Sequence, residues 1–176
     1  MKKKSGFLKA YIYAALCLVI GIGVDQFTKH LAVKHLKNQE SFVIIKGVFQ
    51  LHYLENRGAA FGLLQNKVIF FVLGALLVTG LLAYCYGKFP LTRRFLPIRI
   101  CMVLGCAGAL GNLIDRITHK YVIDFFYFEW IDFPIFNVAD IYVVVACFVF
   151  LLLVLFYYKE ADFEYLFPNK TKKTEK

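Results

Sequence analysis

The chain has 176 residues, of which 60% are hydrophobic and 19% are charged, and its formal net charge is +9. Its mean hydropathy of +0.61 is higher than a water-soluble domain of this length would have. These values exclude an ordinary soluble globular domain and indicate a membrane protein.

Four apolar segments each approach the ~20 residues that an α-helix needs to cross the ~30 Å hydrocarbon layer. We predict spans at residues 8–28, 68–86, 95–114 and 138–158. The first span follows three lysines, as a signal peptide would, but no small-residue cleavage site follows it. The sequence therefore predicts an all-α membrane protein with four retained transmembrane helices, forming a single membrane domain over residues 1–176.

The basic residues predict the orientation of the chain. Thirteen of the 21 Lys and Arg residues fall at the N-terminus, in the loop between the second and third spans, and in the tail at 159–176. Because basic loops stay on the cytoplasmic side, we expect both termini to be cytoplasmic and residues 29–67 and 115–137 to lie on the outer face. No basic run is interleaved with aromatic residues on a soluble face, so nucleic acid is not an expected partner.

The two outer segments differ in pattern. Phe49, Leu51 and Tyr53 alternate with polar residues after a turn at Gly47, which predicts a small β-hairpin or sheet on the membrane surface. The second segment has eight aromatic residues between Arg116 and Asn137, a composition typical of the membrane–water interface. We expect it to lie along the membrane surface.

Polar side chains mark the outer ends of the first and third spans. Asp25 and Lys29 are four residues apart, so they can pair on one helix face, either as a structural ion pair or as a brace for a site. Asn112 and Asp115 share a face near the outer end of the third span. At this depth a side-chain amide is expected to form a hydrogen bond with another polar group. Arg116, beside them, can form forked hydrogen bonds to a carboxylate, a carbonyl or a phosphate.

The fourth span opens with Asn137 and Asp140, and Asp124 lies in the aromatic segment before it. Asn137 suits an N-cap, and an acid in the first turn suits the helix dipole, so Asp140 also has a purely structural interpretation. Because polar groups are costly near hydrocarbon, we expect these helix ends and Asp124 to meet in one site. Two close carboxyls cannot both ionise, so one can act as an acid while the other acts as a base.

Other chemistries have little support in the sequence. Only two serines are present, Ser5 and Ser41, and neither lies in a nucleophile motif. The four histidines lack the spacing of zinc ligands, so no metal or other cofactor is expected. The five cysteines all fall in predicted spans and indicate packing residues.

A proton- or ion-conducting transporter is the rival class of protein. Its acidic residues would be spaced at successive depths across the membrane, whereas the acidic residues of this chain lie at one face. A third hypothesis is that the protein is a non-catalytic assembly factor.

Five short motifs follow one another along the chain: DQFTK at 25–29, NRGAAFG at 56–62, GALGNLIDR at 108–116, VIDF at 122–125 and FNVAD at 136–140. In this order they resemble the motifs of lipoprotein signal peptidase, the type II signal peptidase of bacteria. The resemblance covers most of the chain.

The resemblance implies an aspartic endopeptidase of the bacterial cytoplasmic (inner) membrane. It would cleave diacylglyceryl-modified prolipoproteins on the N-terminal side of the lipidated cysteine, near the outer face, in contact with membrane lipids. A monomer would suffice, and a cyclic peptide of the globomycin type would be an inhibitor. By the same resemblance, Asp124 and Asp140 are the catalytic pair. The residues that line or orient the site are Asn56, Asn112, Arg116, Asn137 and Ala139, and the supporting positions are Asp25, Lys29, Asp115 and Gly58.

Overall fold

The computed structural model describes residues 2–58 and 67–163 of the chain, and side chains from residue 6. Residues 59–66, which hold most of the motif at 56–62, and residues 164–176 of the predicted tail lie outside the described residues. Four helices are long and apolar enough to cross a membrane within the described part of the chain. These helices are α1 (Lys2–Leu36), α2 (Val68–Lys88), α3 (Leu96–His119) and α4 (Val138–Leu152). A π-helical turn, Leu153–Tyr157, and a short helix, α5 (Glu160–Phe163), follow α4. The prediction of a four-helix membrane protein is confirmed.

Helix α3 lies at the centre of the bundle and packs against α1, α2 and α4. Its small residues allow this, because a side chain at Gly108 would collide with the backbone carbonyl of Ala139 and the side chain of Val143 on α4. Small residues let helix backbones approach closely in membranes, where the hydrophobic effect does not drive association.

Helix α1 continues past residue 28, the predicted end of the first span, to Leu36. Its last turns bury Ala32 and Leu36 against Ile123 and Phe125. This apolar contact stabilises the helix beyond the predicted span and fixes it beneath the outer sheet.

The sheet has three antiparallel strands in the order β1 (Phe42–Ile45), β2 (Phe49–Asn56) and β3 (Val122–Tyr127). The predicted hairpin is confirmed as β1 and β2, which turn at Gly47 with a φ of +72°. Strand β3 was not predicted, because it belongs to the segment expected to lie along the membrane surface. The residues after β3 do expose large aromatic side chains, with Trp130 77% exposed.

The pairing of β2 with β3 matters most for the site. Leu54 is opposite Asp124, and Asn56 is opposite Val122. Since adjacent strands are only about 5 Å apart, this register brings Asn56 beside Asp124 and sets both above the outer ends of the helices.

Candidate active site

A buried ion cluster joins the outer ends of α1 and α3. The Lys29 Nζ lies 2.9 Å from Asp25 Oδ2 and 2.9 Å from Asp115 Oδ2. It also donates to Asn112 Oδ1 at 2.8 Å, so all three of its protons have acceptors. Asp25, Lys29 and Asp115 are at most 1% exposed. The predicted pairing of Asp25 with Lys29 is therefore present, but as part of a larger network.

The cluster is fixed to its surroundings by further hydrogen bonds. Asp25 Oδ1 accepts from the backbone N–H of Ala139 at 2.9 Å, and Asp115 Oδ2 accepts from the N–H of Ile123 at 3.1 Å. The two carboxylates thus hold the start of α4 and strand β3 to the ends of α1 and α3. Gln26 was missed by the sequence reasoning, although it donates to Asp115 Oδ1 at 2.9 Å. An amide beside Asp25 at the end of a span was the signal that could have identified it.

Gly111 lets Asp25 reach this position. A Cβ at Gly111 would lie 2.5 Å from Asp25 Oδ2, which is fixed by Lys29. We expect Gly111→Ala to lower the free energy of unfolding by about 1–3 kcal/mol, as overpacking does. Gly80→Ala is the matched control, because no described atom lies within 4 Å of its Cβ position. That change should be neutral or stabilising by up to about 1 kcal/mol. Thermal unfolding in detergent measures both, and equal effects would contradict this account of Gly111.

Asn112 connects the ion cluster to Asp140. Its Oδ1 accepts from Lys29 and, at 3.1 Å, from Asn137 Nδ2. Its Nδ2 donates to Asp140 Oδ1 at 2.8 Å. Because the oxygen faces two donors and the nitrogen faces a carboxyl, the amide has one favoured orientation.

Asn137 caps helix α4 and bridges the two aspartates predicted to be catalytic. Its Oδ1 accepts from the N–H of Asp140 at 3.0 Å, and its own N–H donates to Asp140 Oδ2 at 3.1 Å, which completes a capping box. Its Nδ2 donates to Asp124 Oδ1 at 2.6 Å. The capping interpretation of Asp140 is therefore correct, and the same contacts set Asp140 near Asp124.

Asp124 is buried at 2% exposure in β3, and its second oxygen accepts from Asn56 Nδ2 at 2.8 Å. Burial raises the pKa of this carboxyl to about 7, and the negative charge of Asp140 acts in the same direction. The hydrogen bonds from Asn56 and Asn137 and the charge of Lys29 oppose the rise in pKa. Asp124 is thus poised to hold or release a proton near neutral pH.

Arg116 closes one side of the site. Its Nη2 donates to the carbonyl of Gly58 at 3.4 Å, and its guanidinium lies 4.5 Å from the centre of the Phe71 ring. The N–H of Gly58 donates to Asn56 Oδ1 at 2.9 Å, which fixes the amide that faces Asp124. Arg116 and Gly58 therefore link α3 to the end of β2.

These side chains surround a cavity of about 550 Å³. Its polar lining is Asn56, Gly58, Asn112, Arg116, Asp124 and Asp140. Its apolar lining is Val122, Phe133, Pro134, Ile135, Phe136, Ile141, Val144 and Val145. Of the predicted site residues, Asn137 and Ala139 lie behind this wall and are fully buried. Ala139 thus packs against Gly108 and bonds Asp25 rather than lining the cavity.

The described residues contain no group of three or more His, Cys, Asp or Glu side chains that could hold a metal ion. What the cavity offers is a pair of carboxyls, two amides and a guanidinium beside apolar walls. With four membrane-spanning helices, this arrangement defines the class of membrane-embedded peptidases of the aspartic type.

The comparisons with known proteins identify the family. The family described as signal peptidase (SPase) II matches residues 17–156. The chain is 43% identical to the lipoprotein signal peptidase of Clostridium novyi over 134 residues, which is 74% of this chain and 89% of that protein. It is 43% identical to that of Caldanaerobacter subterraneus subsp. tengcongensis over 144 residues, covering 81% and 96%. This chain belongs to the signal peptidase II family, the aspartic peptidases that cleave signal peptides from prolipoproteins in bacterial membranes.

Two solved structures support the same fold. A bacterial membrane enzyme determined at 1.9 Å resolution is 29% identical, with a TM-score of 0.69 over 83% of this chain and 94% of that one. A second, determined at 2.3 Å, is 26% identical, with a TM-score of 0.66 over 93% of each chain.

Proposed function

We propose that Asp124 and Asp140 are the catalytic pair of this peptidase. The observation that carries the proposal is their common position on the wall of one cavity, with Asn137 bonded to both. Each carboxyl also accepts from a second amide, Asn56 for Asp124 and Asn112 for Asp140. The three amides hold the carboxyls in place and leave them facing the space that a peptide can enter.

We assign the two carboxyls different roles on the basis of their surroundings. Asp124, with its pKa raised to about 7, holds the shared proton before the reaction. Asp140 lies in the first turn of α4, where the helix dipole favours a carboxylate. Asp140 is therefore the base that acts on water, and Asp124 is the acid that acts on the substrate carbonyl.

The proposed reaction has two steps. In the first, Asp140 takes a proton from water, the water oxygen bonds to the carbonyl carbon, and Asp124 gives its proton to the carbonyl oxygen, which yields a gem-diol. In the second, the C–N bond breaks, the departing nitrogen takes the proton from Asp140, and Asp124 recovers a proton from the gem-diol. Both carboxyls then return to their starting states, and one water has been consumed.

The remaining polar residues orient this pair. Lys29, Asp25 and Asp115 anchor α1, α3, β3 and α4 to one another, so the carboxyls are fixed from behind. Arg116 lies on the cavity wall, where its guanidinium can bind a carbonyl of the substrate backbone. Gly58 supports Arg116 and Asn56.

The substrate is a prolipoprotein whose cysteine carries diacylglycerol, and cleavage occurs on the N-terminal side of that cysteine. The apolar side of the cavity supports this, because Ile141, Val144 and Val145 on α4 continue from the carboxyls into the membrane-spanning part. The signal helix and the acyl chains can follow this wall while the scissile bond stays at the polar end. We expect a cyclic peptide of the globomycin type to inhibit the enzyme by occupying the same cavity.

The orientation follows from the basic residues: both termini cytoplasmic and the carboxyl pair near the outer face of the inner membrane. One chain supplies every group named above, so a monomer surrounded by membrane lipids suffices.

Purified protein incubated with matched lipidated and unlipidated precursors tests this proposal. We expect release of the signal peptide from the lipidated precursor, with hydrolysis at the bond preceding the cysteine. Equal cleavage of both precursors would contradict the role of the lipid, and cleavage of neither would contradict the function.

The pH dependence tests the role of Asp124. Its ordinary carboxyl pKa is near 4, and in the fold it is raised to about 7, so the acid form is lost as pH rises through 7. The rate of cleavage should fall above about pH 7. Asn56→Ala removes a hydrogen bond that lowers this pKa, so the fall should move to higher pH. A rate that stays constant up to pH 9 would contradict an acid role for Asp124.

The same shift in pKa affects stability. Between its ordinary pKa and about 7, Asp124 binds more protons in the folded state than in the unfolded state. Its contribution therefore makes the free energy of unfolding fall as pH rises through this range. We therefore expect the midpoint of thermal unfolding to depend less on pH in the Asp124→Asn variant than in the wild type.

A further inference from the structure

A second cavity lies at the opposite end of the bundle from the carboxyls, between α1 and α3. It has a volume of about 600 Å³. On α1 its lining extends from Gly6 to Gly21, and on α3 it extends from Leu96 to Ala107. From Lys9 to Gly21 this is about 18 Å along the helix, which exceeds the about 15 Å of hydrocarbon in one leaflet.

The chemistry of this cavity changes along its length. At one end, here called the mouth, its lining carries the exposed Lys9 and Arg93 and the buried Arg99, and no acidic residue lines it among the described residues. Its interior is formed by small and apolar side chains such as Ala14, Cys17 and Leu104. A ligand that fits both regions has an anionic head and a hydrocarbon chain.

Arg99 is the residue of this cavity that points most clearly to an anionic ligand. It is 5% exposed, its Nη1 donates to the carbonyl of Phe89 at 3.3 Å, and its guanidinium lies 3.9 Å from the centre of the Tyr86 ring. Its buried Nη2 has no acceptor among the described residues. A buried donor without a partner is costly, so an incoming oxygen acceptor would be stabilising.

The basic residues near this cavity differ in whether they form an ion pair. Arg94 is paired with Asp162 and does not line the cavity. Lys9, Arg93 and Arg99 form no ion pair within residues 6–58 and 67–163. The positive charge at the mouth is therefore available to an anion.

We propose that this cavity binds an anionic phospholipid from the leaflet opposite the carboxyl pair. Its phosphate contacts Arg99 and Arg93, with Lys9 nearby, and one acyl chain lies in the groove between α1 and α3. A signal peptide does not fit, because its N-terminal region is cationic and would be repelled by the mouth. The bound lipid holds α1 against α3 at the end where the ion cluster does not reach.

Titration of dioctanoyl-phosphatidylglycerol into the purified protein in detergent tests this, with the midpoint of thermal unfolding as the readout, because a ligand of the native state raises it. Dioctanoyl-phosphatidylcholine and inorganic phosphate are separate arms. We expect phosphatidylglycerol to raise the midpoint at concentrations about tenfold lower than phosphatidylcholine, because both lipids carry the phosphate but only phosphatidylcholine brings a choline cation beside Lys9, Arg93 and Arg99, which repel it. Equal responses to the two lipids would overturn the proposal. A full response to inorganic phosphate would assign a site for the anion alone and would also overturn it.

Two pairs of variants locate the binding. Arg93→Gln combined with Arg99→Gln should weaken phosphatidylglycerol binding about tenfold or more, whereas Lys88→Gln, at the same end but outside the lining, should not. Cys17→Trp fills the groove and should also reduce binding, whereas Cys147→Trp, at another exposed cysteine outside the lining, should not. If the arginine variant does not fold, the tryptophan pair decides. Unchanged binding in Cys17→Trp would overturn the position of the acyl chain.

Discussion

Replacing either Asp124 or Asp140 by asparagine should abolish release of the signal peptide while leaving the protein folded. An asparagine occupies the same volume and keeps one of the two acceptor oxygens of each carboxyl, although its NH2 group faces a donor at the other. It can neither take a proton from water nor donate a carboxyl proton to the carbonyl. Removing one member of a catalytic set lowers the rate by about 10⁴-fold or more. Cleavage of a lipidated precursor, followed at the end point and as an initial rate, measures the loss.

Asp132→Asn is the matched control for both changes. Asp132 is an exposed carboxyl of the same outer segment, bonded to Tyr127, and its backbone lies in the left-handed region, which asparagine tolerates. This variant should cleave at the wild-type rate. If Asp124→Asn or Asp140→Asn retained that rate as well, the residue concerned would not belong to the pair.

The second large effect is expected at Lys29. Lys29→Met keeps most of the side-chain volume but removes the only cation that contacts Asp25 and Asp115 among the described residues. Two buried carboxylates would then lie without a counter-ion, and loss of one partner of a buried ion pair costs about 3–5 kcal/mol. We expect a lower midpoint of thermal unfolding and a large loss of cleavage, because Lys29 also holds Asn112 in place for Asp140.

Lys34→Met is the control, since Lys34 is exposed on the same helix. It should change the unfolding midpoint little. A Lys29→Met protein as stable as Lys34→Met would mean that Asp25 and Asp115 are neutral in the fold, and the account of the ion cluster would be wrong.

The features that follow from local pattern could be predicted from the sequence. The length of the apolar segments predicted the four helices, and the period-two alternation predicted the hairpin of β1 and β2. The four-residue spacing of Asp25 and Lys29 predicted their ion pair. In each case the interacting residues are close in sequence, so spacing alone determines whether they can meet.

The rest of the site depends on contacts between distant parts of the chain. Strand β3 has no polar–apolar alternation, because its first four residues are buried, and its pairing with β2 spans more than sixty residues. Local pattern therefore did not predict that Asn56 would meet Asp124, and only the family resemblance placed both residues in one site. Asn137 was predicted as a cap, but its bond to Asp124 follows from that same register.

Ala139 shows what resemblance between sequences leaves open. The family motif placed it among residues that line or orient the site, without saying which. In the structure it is fully buried behind the cavity wall, and its N–H donates to Asp25. The backbone carbonyl of Ala139 faces Gly108 and its small side chain faces Gly111, so α3 and α4 approach closely there and Asn112 comes within reach of Asp140.

The rate of cleavage by the double variant Asp124→Asn/Asp140→Asn, compared with each single variant, tests most directly whether the two carboxyls act as one unit. Residues that act together have non-additive effects, so the double variant should be no slower than the slower single variant. If the two losses multiplied, each aspartate would act independently, and a mechanism in which both act on the same water and amide would be contradicted.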